Sequence, residues 1–308
     1  MIKKLHFLQY FKDKKGFIYY ASGFGNPSNG LRSVLVYIPF KRGERKLDGI
    51  FYTKKIINGV FPTKIDDLPF STQKYIKSRL KMHPVSKEFI ISVPKTKISN
   101  FYNPKKALKK CLSDQEIEDK LEKVIELLEK LDIPFSNLGV YGGLQVGILN
   151  KQKPRKDIDI LVYGLDFLKN LKNPKLFDGW KRISKKRGFT YPERALKKRD
   201  KILSFEKDDI KVDIKFVPLN KEALPELNYS QIGGEKILRG VVIDDKYACT
   251  LPSMFILLDR NNRKVVIRNH LYPYIGAAWK GDIIEVKGRE VDGLIVVDSF
   301  EHYIIALK

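Results

Sequence analysis

A glycine pair followed by two alternating aspartates constrains the fold of this chain more than any other feature. Residues 138–164 read LGVYGGLQVGILNKQKPRKDIDILVYG. Glycine lacks a Cβ, so the backbone at Gly142 and Gly143 can turn tightly and bring its amides close to an anion such as phosphate. Strand side chains alternate between two faces, so Asp157 and Asp159 share one face. The stretch predicts a strand, a glycine turn, a helix or loop, and a second strand that presents both carboxylates together.

A third carboxylate is expected on a neighbouring strand, within residues 209–217. Alternation puts Asp213 on a polar face opposite four apolar side chains. Those side chains are Ile210, Val212, Ile214 and Phe216. Asp209 shares the polar face but ranks second, because it stands at the start of the strand, where turn acids are common. Magnesium binds a few carboxylates together with substrate phosphates. We therefore expect Asp157, Asp159 and Asp213 to hold Mg2+ or Mn2+.

These residues occur in the order of a known signature. They are Gly142, Gly143, Gly147, Asp157, Asp159 and Asp213. The order resembles the DNA polymerase beta-like nucleotidyltransferase superfamily, whose pattern is Gly-Ser or Gly-Gly, then Asp-x-Asp or Asp-x-Glu, then a later acid. The wider chain resembles an uncharacterised archaeal group of that superfamily, with an N-terminal extension and a small C-terminal β-domain. Two positions depart from the pattern: Gly143 stands where many members have Ser, and Lys156 where Ser is common.

The resemblance implies a fold class, a reaction and residue roles. The fold would be α+β, with a nucleotidyltransferase catalytic core of mixed β-sheet and helices, an N-terminal α+β module and a small OB-like C-terminal β-barrel. The reaction would be Mg2+-dependent transfer of a nucleoside monophosphate from a nucleoside triphosphate to a hydroxyl, on DNA or RNA. Asp157, Asp159 and Asp213 would be the catalytic and metal-binding residues. Gly142 and Gly143 would bind the nucleotide.

Other interpretations of the same residues stay open. A lone Asp-x-Asp on an amphipathic strand is often a solvated face, and a lone glycine pair is often only a turn. The acceptor is alternatively a small molecule or a protein side chain. A catalytically silent nucleic-acid-binding protein with the same fold is a further alternative, from a different functional class.

The charge of the chain favours a polyanionic partner. The 308 residues contain 59 Lys and Arg against 36 Asp and Glu, which gives a formal net charge of +23. Such an excess predicts attraction to nucleic acid. The alternative is a lysine-rich surface with a structural role, although acids are too few for the balanced ion-pair networks of that kind of surface.

Cysteine usage and hydropathy indicate a cytoplasmic protein without a membrane segment. Cys111 and Cys249 are the two cysteines, too few for a disulfide framework, and no Cys-x-x-Cys or His-x-x-x-His spacing predicts a zinc site. No apolar run approaches about 18 residues, the length that a membrane-spanning helix needs.

Composition shifts predict three domains. Residues 1–104 are expected to form the N-terminal module, residues 105–222 the catalytic domain and residues 235–308 the barrel, with a connection at 95–103 and a linker near 218–236. A Ser-x-x-Glu capping box at 113–116 predicts the start of a helix that runs through Leu131. Basic stretches at 181–188 and 194–199 predict polyanion-binding helix faces or solvated ones. The barrel either binds oligonucleotides or has a structural role.

Overall fold

The structure is a computed structural model. It describes residues 8–22, 30–57, 65–82, 89–149, 157–172, 179–182, 203–219, 222, 224–225, 227 and 229–307. The strands are β1 (Tyr10–Asp13), β2 (Ile18–Ala21), β3 (Gly30–Pro39), β4 (Arg45–Leu47), β5 (Ile50–Ile57), β6 (Leu80–Met82), β7 (Phe89–Pro94), β8 (Ile98–Phe101), β9 (Leu138–Val140), β10 (Asp157–Tyr163), β11 (Lys181–Arg182), β12 (Ser204–Lys207), β13 (Ile210–Val217), β14 (Ile232–Tyr247), β15 (Ser253–Asp259), β16 (Lys264–Asn269), β17 (Ile283–Val291), β18 (Leu294–Val297) and β19 (Tyr303–Ala306). The helices are α1 (Phe70–Arg79), α2 (Pro104–Cys111), α3 (Glu118–Lys130), α4 (Gly142–Leu149) and α5 (Leu168–Leu171).

The first sheet contains eight strands in the order β4-β5-β3-β2-β1-β8, with β7 pairing β3 and β6. Its aromatic and β-branched runs fit a pleated, buried surface, and the side chains of Tyr19 and Tyr37 are almost fully buried. The prediction of a connection at 95–103 is wrong for its second half. Residues 98–101 form β8, which pairs with β1 at Phe11 and Phe101.

The second sheet, β11-β12-β13-β10-β9, contains the predicted acidic stretch. The expectation of a strand, a glycine turn, a helix or loop and a second strand is confirmed by β9, α4 and β10, and the structure has the helix at the position left open. Strands β10 and β13 run parallel, with Asp159 opposite Asp213. The four apolar side chains predicted to face inward from β13 are buried, as expected. This register brings two of the predicted acids onto adjacent strands.

Helix α3 follows the predicted apolar period but starts later than its sequence signal indicated. Leu121, Val124 and Leu128 are buried, which confirms the amphipathic helix. The predicted capping box is wrong, because the helix begins at Glu118 and the Ser113 Oγ donates instead to the Lys109 carbonyl at 3.4 Å, where α2 ends. A serine that follows a helix can bond back to that helix as easily as it can cap the next one.

The third sheet has the order β14-β15-β16-β18-β17-β19, and β14 also pairs with β17. Five of its strands therefore close into a ring, with β16 and β18 parallel. The sequence predicts strand-like runs in the C-terminal part at 237–243, 255–258, 264–267, 283–287, 294–297 and 303–307. All of them lie within these strands except at Leu307, which follows the end of β19, and β14 begins earlier than its predicted run, at Ile232.

The described hydrophobic core consists of several clusters, and one of them includes residues from the chain of all three sheets. Its largest cluster contains Tyr10 from the first sheet, Val140 from the second, and Cys249, Leu251 and Ile275 from the chain of the third. The domain boundaries 1–104, 105–222 and 235–308 stay a prediction.

The predicted α+β fold class, with its nucleotidyltransferase core, is wrong. The described chain is sheet-rich, 46% strand and 22% helix in three sheets with few helices, the reverse of the usual proportions. The error is largest in the N-terminal part, where short strands such as Leu80–Met82 (β6) carry no alternating pattern. Their extended conformation comes from pairing with β7, a tertiary effect that overrides local propensity.

Candidate functional site

The three predicted acids, Asp157, Asp159 and Asp213, lie along one face of the second sheet, which we call the acidic face. Asp157 begins β10 and is exposed, Asp159 is half-buried, and Asp213 is buried at 4% exposure. Paired residues on adjacent strands project to the same side, so the register of Asp159 with Asp213 points both carboxylates the same way. Lys211, which pairs with Asp157, belongs to this face too. The arrangement has an open end at Asp157 and a covered end at Asp213.

The glycine turn lies directly against one carboxylate. Gly142 has φ +68°, and a Cβ built on it would stand 2.3 Å from the Asp159 Oδ2. The Tyr141 amide donates to the Asp159 carbonyl at 3.0 Å, which fixes the turn to β10. Gly143 follows in the first turn of α4, where backbone amides have no intrahelical partner and favour anions. The contact requires glycine at position 142.

Replacing Gly142 by Ala should therefore cost more than replacing a glycine with similar φ in open space. Both Gly142 and Gly293 have positive φ, but a Cβ at Gly293 meets nothing within 4 Å. We expect Gly293→Ala to lower the free energy of unfolding by about 1–3 kcal/mol through backbone strain, and Gly142→Ala to lower it further by displacing Asp159. Urea titrations of both variants measure the difference. Equal losses would contradict the close contact.

The carboxylate of Asp213 is fully engaged by neighbouring side chains. Its Oδ1 accepts from the Ser204 hydroxyl at 2.8 Å, and its Oδ2 accepts from the Tyr141 hydroxyl at 3.3 Å. The Lys215 Nζ is 2.8 Å from the same Oδ2, and the Lys215 side chain is completely buried. A buried charge needs a partner of this kind. Asp213 thus neutralises an ammonium within the protein.

Tyr10 of the first sheet approaches Asp159. Burial raises the pKa of Tyr10, and its neighbours Tyr37, Tyr20, Asp159 and Tyr272 raise that pKa further. Tyr10 packs on Tyr20 with ring centroids 5.6 Å apart. The first sheet therefore contributes to the surroundings of this carboxylate, and Tyr272, which follows β16, interacts with the same tyrosine, Tyr10.

Residues near β14 cover the other end of the face. Burial raises the pKa of the Cys249 thiol, and the nearby ammonium groups of Lys215 and Lys172 partly oppose that shift. The Lys172 Nζ is 2.5 Å from the Asp245 Oδ2 and 4.7 Å from the centre of the Trp279 ring. The acidic face consequently lies at the junction of all three sheets.

Two of the three acids fit a divalent cation. No group of three or more His, Cys, Asp and Glu side chains in the described ranges is arranged to hold a metal ion. Asp157 and Asp159 share a strand face beside the glycine turn, a donor set that magnesium accepts when phosphates complete it. Asp213 would have to exchange Lys215 for the metal, so its role as third ligand stays a prediction. Asp209 lies elsewhere, with its Oδ2 2.5 Å from the Lys120 Nζ.

Reasoning from the sequence overlooked Lys215, Ser204 and Tyr10. A signal for Lys215 was present, since it stands two residues after Asp213 and alternation places both on one face. Ser204 and Tyr10 reach the site through strand pairing and core packing, which local patterns do not reveal. Of the predicted basic helix faces, Lys181–Arg182 (β11) is a short strand, and residues 183–188 and 194–199 lie outside the described ranges.

The chain is similar in sequence, over most of its length, to a known protein. An uncharacterized protein of Methanocaldococcus jannaschii is 23% identical over 318 aligned positions, which cover 93% of this chain and 90% of the relative. No protein-family profile and no solved structure matches the chain. Within the described residues, every helix is too short or too polar to cross a membrane.

Proposed function

We propose that this protein is a divalent-metal-dependent nucleotidyltransferase that transfers a nucleoside monophosphate from a nucleoside triphosphate to a hydroxyl of DNA or RNA. The observation that carries the proposal is local: the Asp159 carboxylate lies against the Gly142 turn, and Asp213 stands opposite it on a parallel strand. The proposal rests on this site and on the net charge of +23, and it requires no particular fold class.

Asp157 and Asp159 would hold Mg2+ or Mn2+ together with the phosphates of the substrate. When bound, such an ion neutralises charge that develops on the phosphoryl oxygens. The open position of Asp157 and the partial exposure of Asp159 leave room for a triphosphate at this end of the face. These two acids therefore bind and orient the substrate.

Backbone and buried side chains complete the proposed site. Amides of the Gly142–Gly143 turn donate to the phosphates, and glycine lets them approach closely. Buried Tyr10 limits water beside Asp159. Asp213 holds the buried Lys215 in an ion pair, which adds no net charge to the site. In the reaction the bond from the α-phosphorus to the acceptor oxygen forms, the bond to pyrophosphate breaks, and the acceptor hydroxyl loses its proton to water. Positioning rather than a covalent enzyme intermediate lowers the barrier.

The test is incubation of the full chain with Mg2+, each labelled nucleoside triphosphate in turn, and single-stranded DNA, duplex DNA or tRNA. We expect label in one of the polynucleotides, and none with the Asp157→Asn/Asp159→Asn variant. Equal labelling by that variant would contradict the proposed site. Labelling of a small molecule or protein instead would redirect the proposal to those acceptors.

One observation favours a second candidate, a catalytically silent nucleic-acid-binding protein. Lys215 occupies an oxygen of Asp213 that a metal would need. A thermal-shift measurement separates the two functions: Mg2+ with a nucleoside triphosphate raises the melting temperature of the enzyme through linkage and leaves that of the silent protein unchanged. For either function we place the protein in the cytoplasm, where the buried free thiols of Cys111 and Cys249 stay reduced.

A further inference from the structure

The positive charge is distributed unevenly along the chain. Residues 1–104 contain 20 Lys and Arg against 6 Asp and Glu, whereas residues 235–308 contain 11 against 10. Nucleic-acid binding depends mainly on the neutralisation of phosphates by such cations. The ring of strands in the C-terminal part is therefore electrostatically the weaker candidate, and the first sheet the stronger.

Three joined segments of the N-terminal part carry seven cations, and we call this set of cations the basic patch. Its cations are Lys14, Lys15, Lys74, Lys77, Arg79, Lys95 and Lys97. The Lys14 amide donates to the Lys97 carbonyl at 2.8 Å, which joins the β1–β2 turn to the segment before β8. The Lys15 Nζ lies 4.5 Å and the Arg79 guanidinium 4.6 Å from the centre of the Tyr75 ring, which joins the turn to α1.

Most cations of the patch are exposed, and none of them has an acidic partner among the salt bridges of the described residues. The six lysines are exposed and Arg79 is half-buried. Salt bridges do occur elsewhere in the module, as between Lys55 and Asp67, but none of the described ones involves a cation of the patch. Lys74 and Lys77 lie one turn apart on the outer side of α1, where like charges repel. Binding of a nucleic acid to such a surface is favourable, because cations that neutralise phosphates release the counterions condensed on the nucleic acid.

The acid within these segments is turned inward. Asp13 is 1% exposed and accepts hydrogen bonds from the amides of Lys15 and Phe17 at 2.9 and 3.0 Å, and from the hydroxyls of Tyr19 and Tyr75 at 3.1 and 2.5 Å. Both oxygens of its carboxylate accept hydrogen bonds, and these bonds hold the hairpin to α1. Asp13 therefore shapes the patch without neutralising its surface.

We infer that the basic patch binds the sugar-phosphate backbone of a nucleic acid, independently of base sequence. The inference rests on the proposed function in one respect: the bound strand would be the acceptor of the transfer reaction. Seven cations on three adjoining segments match the regular negative charge of a polynucleotide. They lie outside the acidic face, so binding and chemistry are separable.

The test compares two variants of the full chain with equal charge changes. The patch variant is Lys14→Gln/Lys74→Gln/Lys77→Gln/Lys97→Gln. The control variant is Lys246→Gln/Arg260→Gln/Lys264→Gln/Lys280→Gln, which neutralises four exposed cations of the C-terminal part. Binding of a fluorescent 30-base-pair DNA and of its single strand is measured over a range of salt concentrations.

We expect the patch variant to bind duplex DNA about 10²-fold more weakly at 0.1 M salt, and its slope of log affinity against log salt to fall by about 3 to 4, since each phosphate contact adds about 0.9. The control variant should change either quantity much less. Equal losses in both variants, or no loss in either, would overturn the inference. Retained DNA binding with lost binding to vesicles of anionic phospholipid would assign the patch to a membrane surface instead.

Binding by the Asp157→Asn/Asp159→Asn variant separates this inference from the proposed function. If that variant binds DNA normally and no preparation transfers a nucleotide, the patch stands and the nucleotidyltransferase proposal fails. If the wild-type chain transfers nucleotides and the patch variant does so with unchanged KM for the polynucleotide, the proposed function is supported. The inference that the basic patch binds the acceptor is then wrong.

Discussion

Replacement of Asp159 by Asn should reduce nucleotidyl transfer by about 10³-fold, which corresponds to about 4 kcal/mol of lost transition-state stabilisation. The reason is the position of its carboxylate, which lies against the Gly142 turn at the half-buried centre of the acidic face. Asn has nearly the same shape but no charge, so the fold should persist. Single-turnover rates and the concentration of Mg2+ needed for half-maximal activity are the measurements.

Asp166→Asn is the matched control for this prediction. Asp166 is an exposed acid in the turn that follows β10, three residues after the strand ends, so its substitution removes the same charge outside the acidic face. We expect its rate to stay within about twofold of the wild type, as is usual for a surface substitution. An Asp159→Asn protein that melts normally and keeps full activity would eliminate this carboxylate as a ligand.

The second large effect concerns stability rather than chemistry. Asp213→Asn should lower the free energy of unfolding by about 3–5 kcal/mol, because it leaves the buried ammonium of Lys215 uncompensated. Adding Lys215→Met to that variant should restore most of the loss, since the double substitution removes both charges. Urea unfolding of the wild type, both single variants and the double variant gives the coupling energy directly.

The ion pair of Asp209 with Lys120 provides the comparison. Its oxygen and nitrogen are also close, at 2.5 Å, but the side chains are 66% and 29% exposed. An exposed pair is worth at most about 1 kcal/mol, so the cycle of Asp209→Asn with Lys120→Met should give a small coupling energy. Similar coupling in the two cycles would mean that Lys215 is not buried as a charged group beside Asp213.

The local parts of the site could be predicted from the sequence. The alternation of residues 157–162 and 210–217 determines which side chains share a face, and it correctly placed the four inward apolar residues of β13. The glycine turn is equally local, because the positive φ of Gly142 belongs to a position that only glycine occupies without strain.

The rest depends on contacts between distant segments. Alternation predicts that Asp213 lies on a polar face, but it does not predict that this carboxylate is buried among Tyr141, Ser204 and Lys215. Tyr10 is more than a hundred residues from Asp159 in sequence and reaches its vicinity through packing of two sheets. The fold class failed for the same reason, since strand pairing creates short strands that no window of sequence predicts.

Three sheets meet around the acidic face. Ligand binding at this face is therefore linked to the unfolding equilibrium of the whole protein. A molecule that binds there is contacted by residues of the second sheet that pack beside the other two sheets, so its binding free energy is added to that of the contacts between sheets. Loosening one of these contacts, for example at Lys172 and Asp245, should then weaken a ligand that neither residue touches. The affinity of a ligand for the acidic face would in this way decrease as the contacts between the sheets become weaker.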